Sequence, residues 1–98
     1  MNVVNLIGRL TKPPEMKLSS SGKPYCFNVI AIKSKYDTEF IGVSFFGEIA
    51  KWLNTYFDKG QFIAITGHLE QGTQDNNYRM SVIADKAYFC ERKIDNET

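Results

Sequence analysis

Metal-ligating and redox-active residues are scarce in this 98-residue chain, which holds two cysteines, Cys26 and Cys90, and one histidine, His68. Neither cysteine has a second Cys or His near it in sequence. A structural zinc site takes about four such ligands and a catalytic one about three, so the inventory is too poor for either. A Cys–His nucleophilic pair is weaker than a packing role for both residues, because a reactive thiol needs surroundings that stabilise the thiolate. The expectation is two reduced, buried cysteines. Long apolar runs are also lacking, and the N-terminus does not carry the charged, apolar and small-residue regions of a signal peptide. No membrane partner is therefore expected, and a cytoplasmic location is. There is no glycine-rich phosphate loop, metal motif or serine nucleophile elbow, and spacing alone pairs no two carboxylates as acid and base. An enzyme is not expected, nor a cofactor.

What is present describes one domain. A chain of this length supports one modest core and not two. An apolar fraction of 43% with 23% charged residues belongs to a globular protein rather than a disordered one. The net charge is only +1, but it is unevenly spread. Residues 9–36 carry Arg9, Lys12, Lys17, Lys23, Lys33 and Lys35 against Glu15 alone, whereas residues 37–75 carry Lys51 and Lys59 against six carboxylates. Such asymmetry predicts a basic side that meets something anionic, provided the patch survives folding.

"NVVNLIGRL" is rich in β-branched residues and reads as a strand, with Val4, Leu6 and Leu10 on one face and Val3, Asn5, Ile7 and Arg9 on the other. "TKPPE" interrupts it, since proline cannot donate to a ladder. "SSSGKP" is a turn in which Gly22 supplies backbone freedom. "YCFNVIAIK" and "TEFIGVSFF" are the second and third strands. After Gly47 the period changes: Ile49, Trp52, Leu53, Tyr56 and Phe57 recur at three- and four-residue steps, the stripe of an amphipathic helix about three turns long. "DKG" closes it, with Lys59 near the negative end of the dipole and Gly60 as the left-handed cap. "QFIAITGHLE" and "YRMSVIADKAYF" are the fourth and fifth strands, separated by a polar loop, "QGTQDNN"; "ERKIDNET" reads as frayed. Three strands, a helix and two strands predict a small antiparallel barrel plugged at one end by the helix, the OB arrangement.

The third strand carries the functional signal. Ile41, Val43 and Phe45 alternate on one face and should point into the core. The other face presents Phe40, Gly42, Ser44 and Phe46, two aromatics separated by two very small residues. A solvated face would carry polar groups, so this one reads as an open platform with a low floor. Planar nucleic-acid bases stack on such rings for roughly 1–3 kcal/mol per base, with little regard to which base. Tyr36, just before the strand, offers a third surface, and Arg9, Lys12, Lys33 and Lys35 are placed to neutralise phosphates. The competing reading has Phe40 or Phe46 covered by the helix, a loop or a partner subunit. Trp52 belongs to the apolar stripe and is expected to pack.

"MNVVNLIGRLTKPPEMK", "SSSGKPY", "TEFIGVSFFGEIAKWLNTYFDKGQFIAITGHLE" and "YRMSVIADKAYF" together resemble the bacterial and phage single-stranded DNA-binding proteins of the OB-fold type. The similarity runs from residue 1 to about residue 90. It implies a five-stranded Greek-key barrel with a helix between strands three and four, an OB domain over residues 1–91, and a short flexible end over 92–98. It implies base stacking at Tyr36, Phe40 and Phe46, phosphate contacts from Arg9, Lys33, Lys35 and Arg79, and assembly into a homotetramer, with a dimer as the alternative. The implied role is coating single-stranded DNA in replication, recombination or repair, in a bacterial cell or phage-infected host.

Three features depart from the family pattern. "QGTQDNN" lacks the aromatic that relatives often carry there and should wrap less of the strand. "CFN" at 26–28 replaces the usual small residue followed by Asn and an aromatic, which leaves the facing of these side chains open. The chain ends at "KIDNET" without the acidic, hydrophobic tip of the family's tail, so no tail-mediated recruitment of replication enzymes is expected; a phage or plasmid form, or a shortened chain, would account for it. Two further readings stay in view. One is a tail-less adaptor like primosomal replication protein N. The other is an OB domain for protein interaction that binds no nucleic acid.

Overall fold

The computed structural model describes residues 1–74 and 77–90, and of residues 73, 74 and 77–79 the backbone alone. The described elements follow in the order β1 (Val4–Leu10), β2 (Lys17–Leu18), β3 (Pro24–Lys33), β4 (Thr38–Phe46), α1 (Glu48–Tyr56), β5 (Phe62–Gln74) and β6 (Asn77–Phe89). The two-residue β2, which the sequence did not announce, is appended to β3. The other five strands close a ring: β1 pairs with β5, β5 with β6, β6 with β4, β4 with β3, and β3 returns to β1 through Arg9–Ala31 and Leu10–Ile30. This is the OB barrel, with the helix between its third and fourth long strands. One seam, β4 to β6, is parallel, at Val43–Val82 and Ser44–Ile83. An odd number of strands cannot alternate direction all the way round a closed ring, so an otherwise antiparallel five-stranded barrel needs one such parallel seam.

Alternation along the strands fills the interior. Leu10, Cys26, Ile30, Val43, Phe45, Ile63, Ile65, Val82 and Ala84 are buried together, and Ala50, Leu53 and Phe57 come down from the helix side. Asn28 is the one polar residue among the described ones buried with them. Its amide nitrogen donates to the Lys12 carbonyl at 3.0 Å, and its oxygen accepts from the Val29 N–H at 2.9 Å. Satisfied in this way, it pays no desolvation penalty for an orphan group and ties the segment after β1 onto β3.

Several expectations change. The helix is nine residues long and ends at Tyr56; Phe57 leaves it in an extended conformation and still donates its N–H to the Leu53 carbonyl at 3.1 Å. Leaving the helix lets Phe57 turn into the core and stack on Phe89, ring centroids 4.8 Å apart and planes 6° from parallel. Lys59 and Gly60 therefore do not cap the helix. Gly60, with φ +86°, shapes the approach to β5, where its N–H donates to the Leu10 carbonyl at 2.8 Å. Tyr56 is exposed rather than part of the buried stripe, whereas Trp52 packs edge-on against Phe57 and Phe89 as expected of a packing residue.

Cys26 is buried, but Cys90, just past the end of β6, is exposed; neither forms a disulfide. The "QGTQDNN" loop is corrected too. Gln71–Met80, Gly72–Arg79, Thr73–Tyr78 and Gln74–Asn77 continue the β5–β6 ladder, so most of that segment is hairpin. Residues 75, 76 and 91–98 lie outside the described residues, and with them the expected frayed end.

Candidate nucleic-acid interface

Register places the candidate residues on the outer surface of β1, β3 and β4. Opposite one another across these strands lie Arg9, Ala31 and Phe40, then Val29 and Gly42, then Phe27 and Ser44, then Tyr25 and Phe46. Because side chains alternate faces, all of these point away from the core that Cys26, Asn28, Ile30, Val43 and Phe45 fill. Phe45 is fully buried, while its neighbours on the other face stand out: Phe40 is 65% exposed and Phe46 52%. The parity expectation for β4 holds.

The remaining candidates fall into three groups. Tyr36, 88% exposed, sits at the tip between β3 and β4 with the Lys35 ammonium 5.3 Å from its ring centroid. That tip is a tight turn: the Ser34 N–H donates to the Asp37 carbonyl at 2.8 Å, and the Asp37 carboxylate accepts the Thr38 N–H at 2.8 Å. Arg9 lies across the Phe62 ring, 4.1 Å from its centroid, and donates from Nη1 to the Gly60 carbonyl at 2.8 Å. With Lys33, Thr38, Ala31 and Phe62 it lines a cavity of about 420 Å³ beside Phe40. Lys12 stands over Phe27, its Nζ 5.4 Å from the ring centroid and within the usual range for a cation–π contact. The structure brings Arg9, Lys33 and Phe40 together and sets Tyr36 and Lys35 at the hairpin tip next to them. Arg79 is apart: its backbone pairs with Gly72 in the β5–β6 hairpin, and its side chain lies outside the described residues.

One residue of this surface escaped the sequence reading. Phe27 is 49% exposed on the same face as Phe40 and Phe46. The distal edge of its ring sits over Gly42, where a Cβ would come within 2.8 Å of Phe27 Cζ and 3.0 Å of Cε1. The floor between Phe40 and Phe46 is therefore not bare glycine and serine, as expected; a third aromatic covers part of it. Alternation with Val29 and Ala31 was the available signal. The sequence reading left the facing of Cys26, Phe27 and Asn28 open, because "CFN" departs from the family's order at these positions.

Comparison with known proteins bears on the whole chain. The family model described as "Single-strand binding protein family" matches residues 1–90. The single-stranded DNA-binding protein of Fusobacterium nucleatum is 34% identical over 111 residues, covering 100% of this chain and 72% of the relative. Single-stranded DNA-binding protein 1 of Staphylococcus aureus is 29% identical, covering 100% of this chain and 70% of the relative. Among solved structures, the wild-type single-stranded DNA-binding protein of Thermus aquaticus superposes with a TM-score of 0.81 at 22% identity, and a deletion mutant of it with 0.84. At that identity the likeness establishes the shared fold. The chain covers 100% of itself but only 44–45% of those solved proteins.

Proposed function

The chain belongs to the single-strand binding protein family, and on that premise we propose that it binds single-stranded DNA along the outer face of β3 and β4, with little sequence preference. The observation that carries this reading is the pair of bare rings, Phe40 and Phe46, held outward on a strand whose other face is locked into the core. Rings in that setting stack on any base. Arg9, Lys12, Lys33 and Lys35 lie beside or beyond them and supply phosphate contacts, with Tyr36 as a further stacking surface at the hairpin tip. Arg79, apart from this surface on the β5–β6 hairpin, is a further phosphate contact in this reading. The role is coating and protection of single strands during replication, recombination or repair, in the cytoplasm of a bacterium or an infected host, and it requires no catalysis.

Few phosphates are within reach of one subunit, so tight coating draws on several subunits held on one strand. Val3, Ile7 and Tyr88 are exposed apolar residues, Ile7 and Tyr88 lying on either side of Ala64 across β1, β5 and β6, and β1 pairs with β3 only at Arg9 and Leu10. An edge and an apolar face of this kind suit a homotetramer or a dimer. Titration with oligo-dT, followed by tyrosine and tryptophan emission, tests the binding reading: affinity should be high at low salt and fall as counterions compete. No binding at low salt overturns it and favours a protein-interaction module. Light scattering after size exclusion, with and without oligo-dT, reads the assembly.

A further inference from the structure

Phe40 and Phe46 are six residues apart, about 20 Å of strand, too far to serve one base or two neighbouring ones. The space between them is where Phe27 lies. Its ring starts from the register of Ser44 and reaches over Gly42, so it stands midway along the row. The distal edge of the ring sits over Gly42 while Lys12 Nζ stands 5.4 Å from its centroid, a place that a stacked base would take over from the ammonium. What the ring offers is a π-surface at the level of the strand.

Beside that ring is a concavity of about 170 Å³ lined by Lys12, Glu15, Lys17, Tyr25 and Phe27. Two ammonium groups and one carboxylate leave it net cationic, and two of its walls are aromatic. None of the expected stacking rings touches it. We propose, building on the single-strand binding reading above, that Phe27 is the central stacking surface of this face, seated on Gly42, and that the adjoining pocket receives the phosphate and sugar of the nucleotide stacked there. Lys12 and Lys17 bind the phosphate, and Tyr25 walls the pocket on the side of Phe46. A single strand then crosses the sheet from Phe40 over Phe27 to Phe46 rather than resting on two isolated rings. Glu15 opposes the phosphate and tempers affinity at this one station.

The test is oligo-dT affinity at low salt and its salt dependence, measured on folded variants. Phe27→Ala should weaken binding about 5- to 150-fold, the range for losing one stacked base. Phe27→Leu keeps an apolar cover over Gly42 without a π-face and should lose a similar amount, whereas Phe27→Trp should retain binding, its added indole emission being quenched by oligo-dT. Lys12→Gln and Lys17→Gln should each flatten the slope of log affinity against log salt by about 0.7. Glu15→Gln should strengthen binding. If the unmodified protein fails to bind oligo-dT, the family-based reading itself falls. If it binds, and Phe40→Ala weakens binding while Phe27→Leu and Phe27→Ala leave it unchanged, the central station is refuted and Phe27 only covers the sheet. Unchanged salt slopes for both lysine variants would remove the pocket.

Discussion

The β3–β4 hairpin and the β5–β6 hairpin are both long antiparallel ladders, but only the first lies on the core along most of its length. In β3 and β4 one face is occupied by Cys26, Asn28, Ile30, Val43 and Phe45, which leaves the other free to display Phe27, Phe40 and Phe46. In β5 and β6 the core residues are confined to the barrel end, at Ile63, Ile65, Val82 and Ala84. The register shifts between Thr66 and Gly67, and further along Glu70, Gln71, Gly72, Met80 and Ser81 are exposed. A strand anchored by burial can afford bare rings outside. One held by its ladder alone relies on polar pairs between its strands.

The most severe way to break this contrast is to remove the anchor. Phe45→Ala should cost about 3–5 kcal/mol of stability, because a fully buried ring leaves a cavity, and denaturant unfolding measures it. If Phe45→Ala spares stability but abolishes DNA binding, the assignment of the two faces of β4 is reversed. On the outer face of the same strand, Phe40→Ala and Phe46→Ala should each weaken oligo-dT binding by about 1–3 kcal/mol. Their unfolding free energies should move by no more than about 0.5 kcal/mol, as for surface substitutions without a special structural role. A large loss of stability in either would mean that the ring is packing rather than platform.

The second hairpin is best probed where it leaves the barrel. Gly67 is buried at the register shift, and a Cβ there would run into the Ile83 carbonyl oxygen. Gly67→Ala should cost about 1–3 kcal/mol, the usual penalty for forcing an atom into a packed site. The loss should show in hydrogen exchange as reduced protection of the β5–β6 ladder before that of β3–β4. Equal loss in both hairpins would mean that the two are one cooperative unit and that their difference in burial has no dynamic counterpart.

The same contrast explains what was legible in the sequence. Hydrophobic alternation reports a strand through its buried face, so β1, β3, β4 and the barrel ends of β5 and β6 were readable, as were the helix and its place in the order. The faces of β4 followed from Phe45 against Phe40 and Phe46. Gln71 and Gly72 are both exposed, and the polar, turn-forming residues that follow them in sequence show no alternation, so the segment read as a loop. The facing of "CFN" stayed open for another reason: the burial of Asn28 rests on hydrogen bonds to Lys12 and Val29 that no local pattern announces, so Phe27 was not placed on the platform. Gly60 was read as a cap because helix ends favour glycine, but the burial of Phe57 ended the helix earlier.

The smallest expected effect belongs to the polar pairs of the second hairpin. His68 lies between two carboxylates, with Nδ1 2.8 Å from Asp85 Oδ2 and Nε2 2.9 Å from Glu70 Oε2. Asp85 sits on the facing strand, between the partners of Thr66 and Gly67 at the register shift, so the imidazole links β5 to β6 where the core gives out. Hydrogen bonds to Asp85, then to Glu70, raise the His68 pKa above its ordinary 6.5. A raised folded-state value means that the charged form is favoured by folding. Its contribution is fully present below about pH 6.5, while both carboxylates remain ionised, and is lost as pH rises through the raised value. His68→Gln retains neutral hydrogen bonding but no charge. The Tm difference between the unmodified protein and this variant should therefore be largest near pH 6 and shrink steadily towards pH 8.5, and it should be modest throughout, since these charges face solvent and salt screens them. A difference that stays flat across that range would show that the histidine joins the strands as a neutral hydrogen-bonding group, and that the second hairpin holds its ladder without electrostatic help.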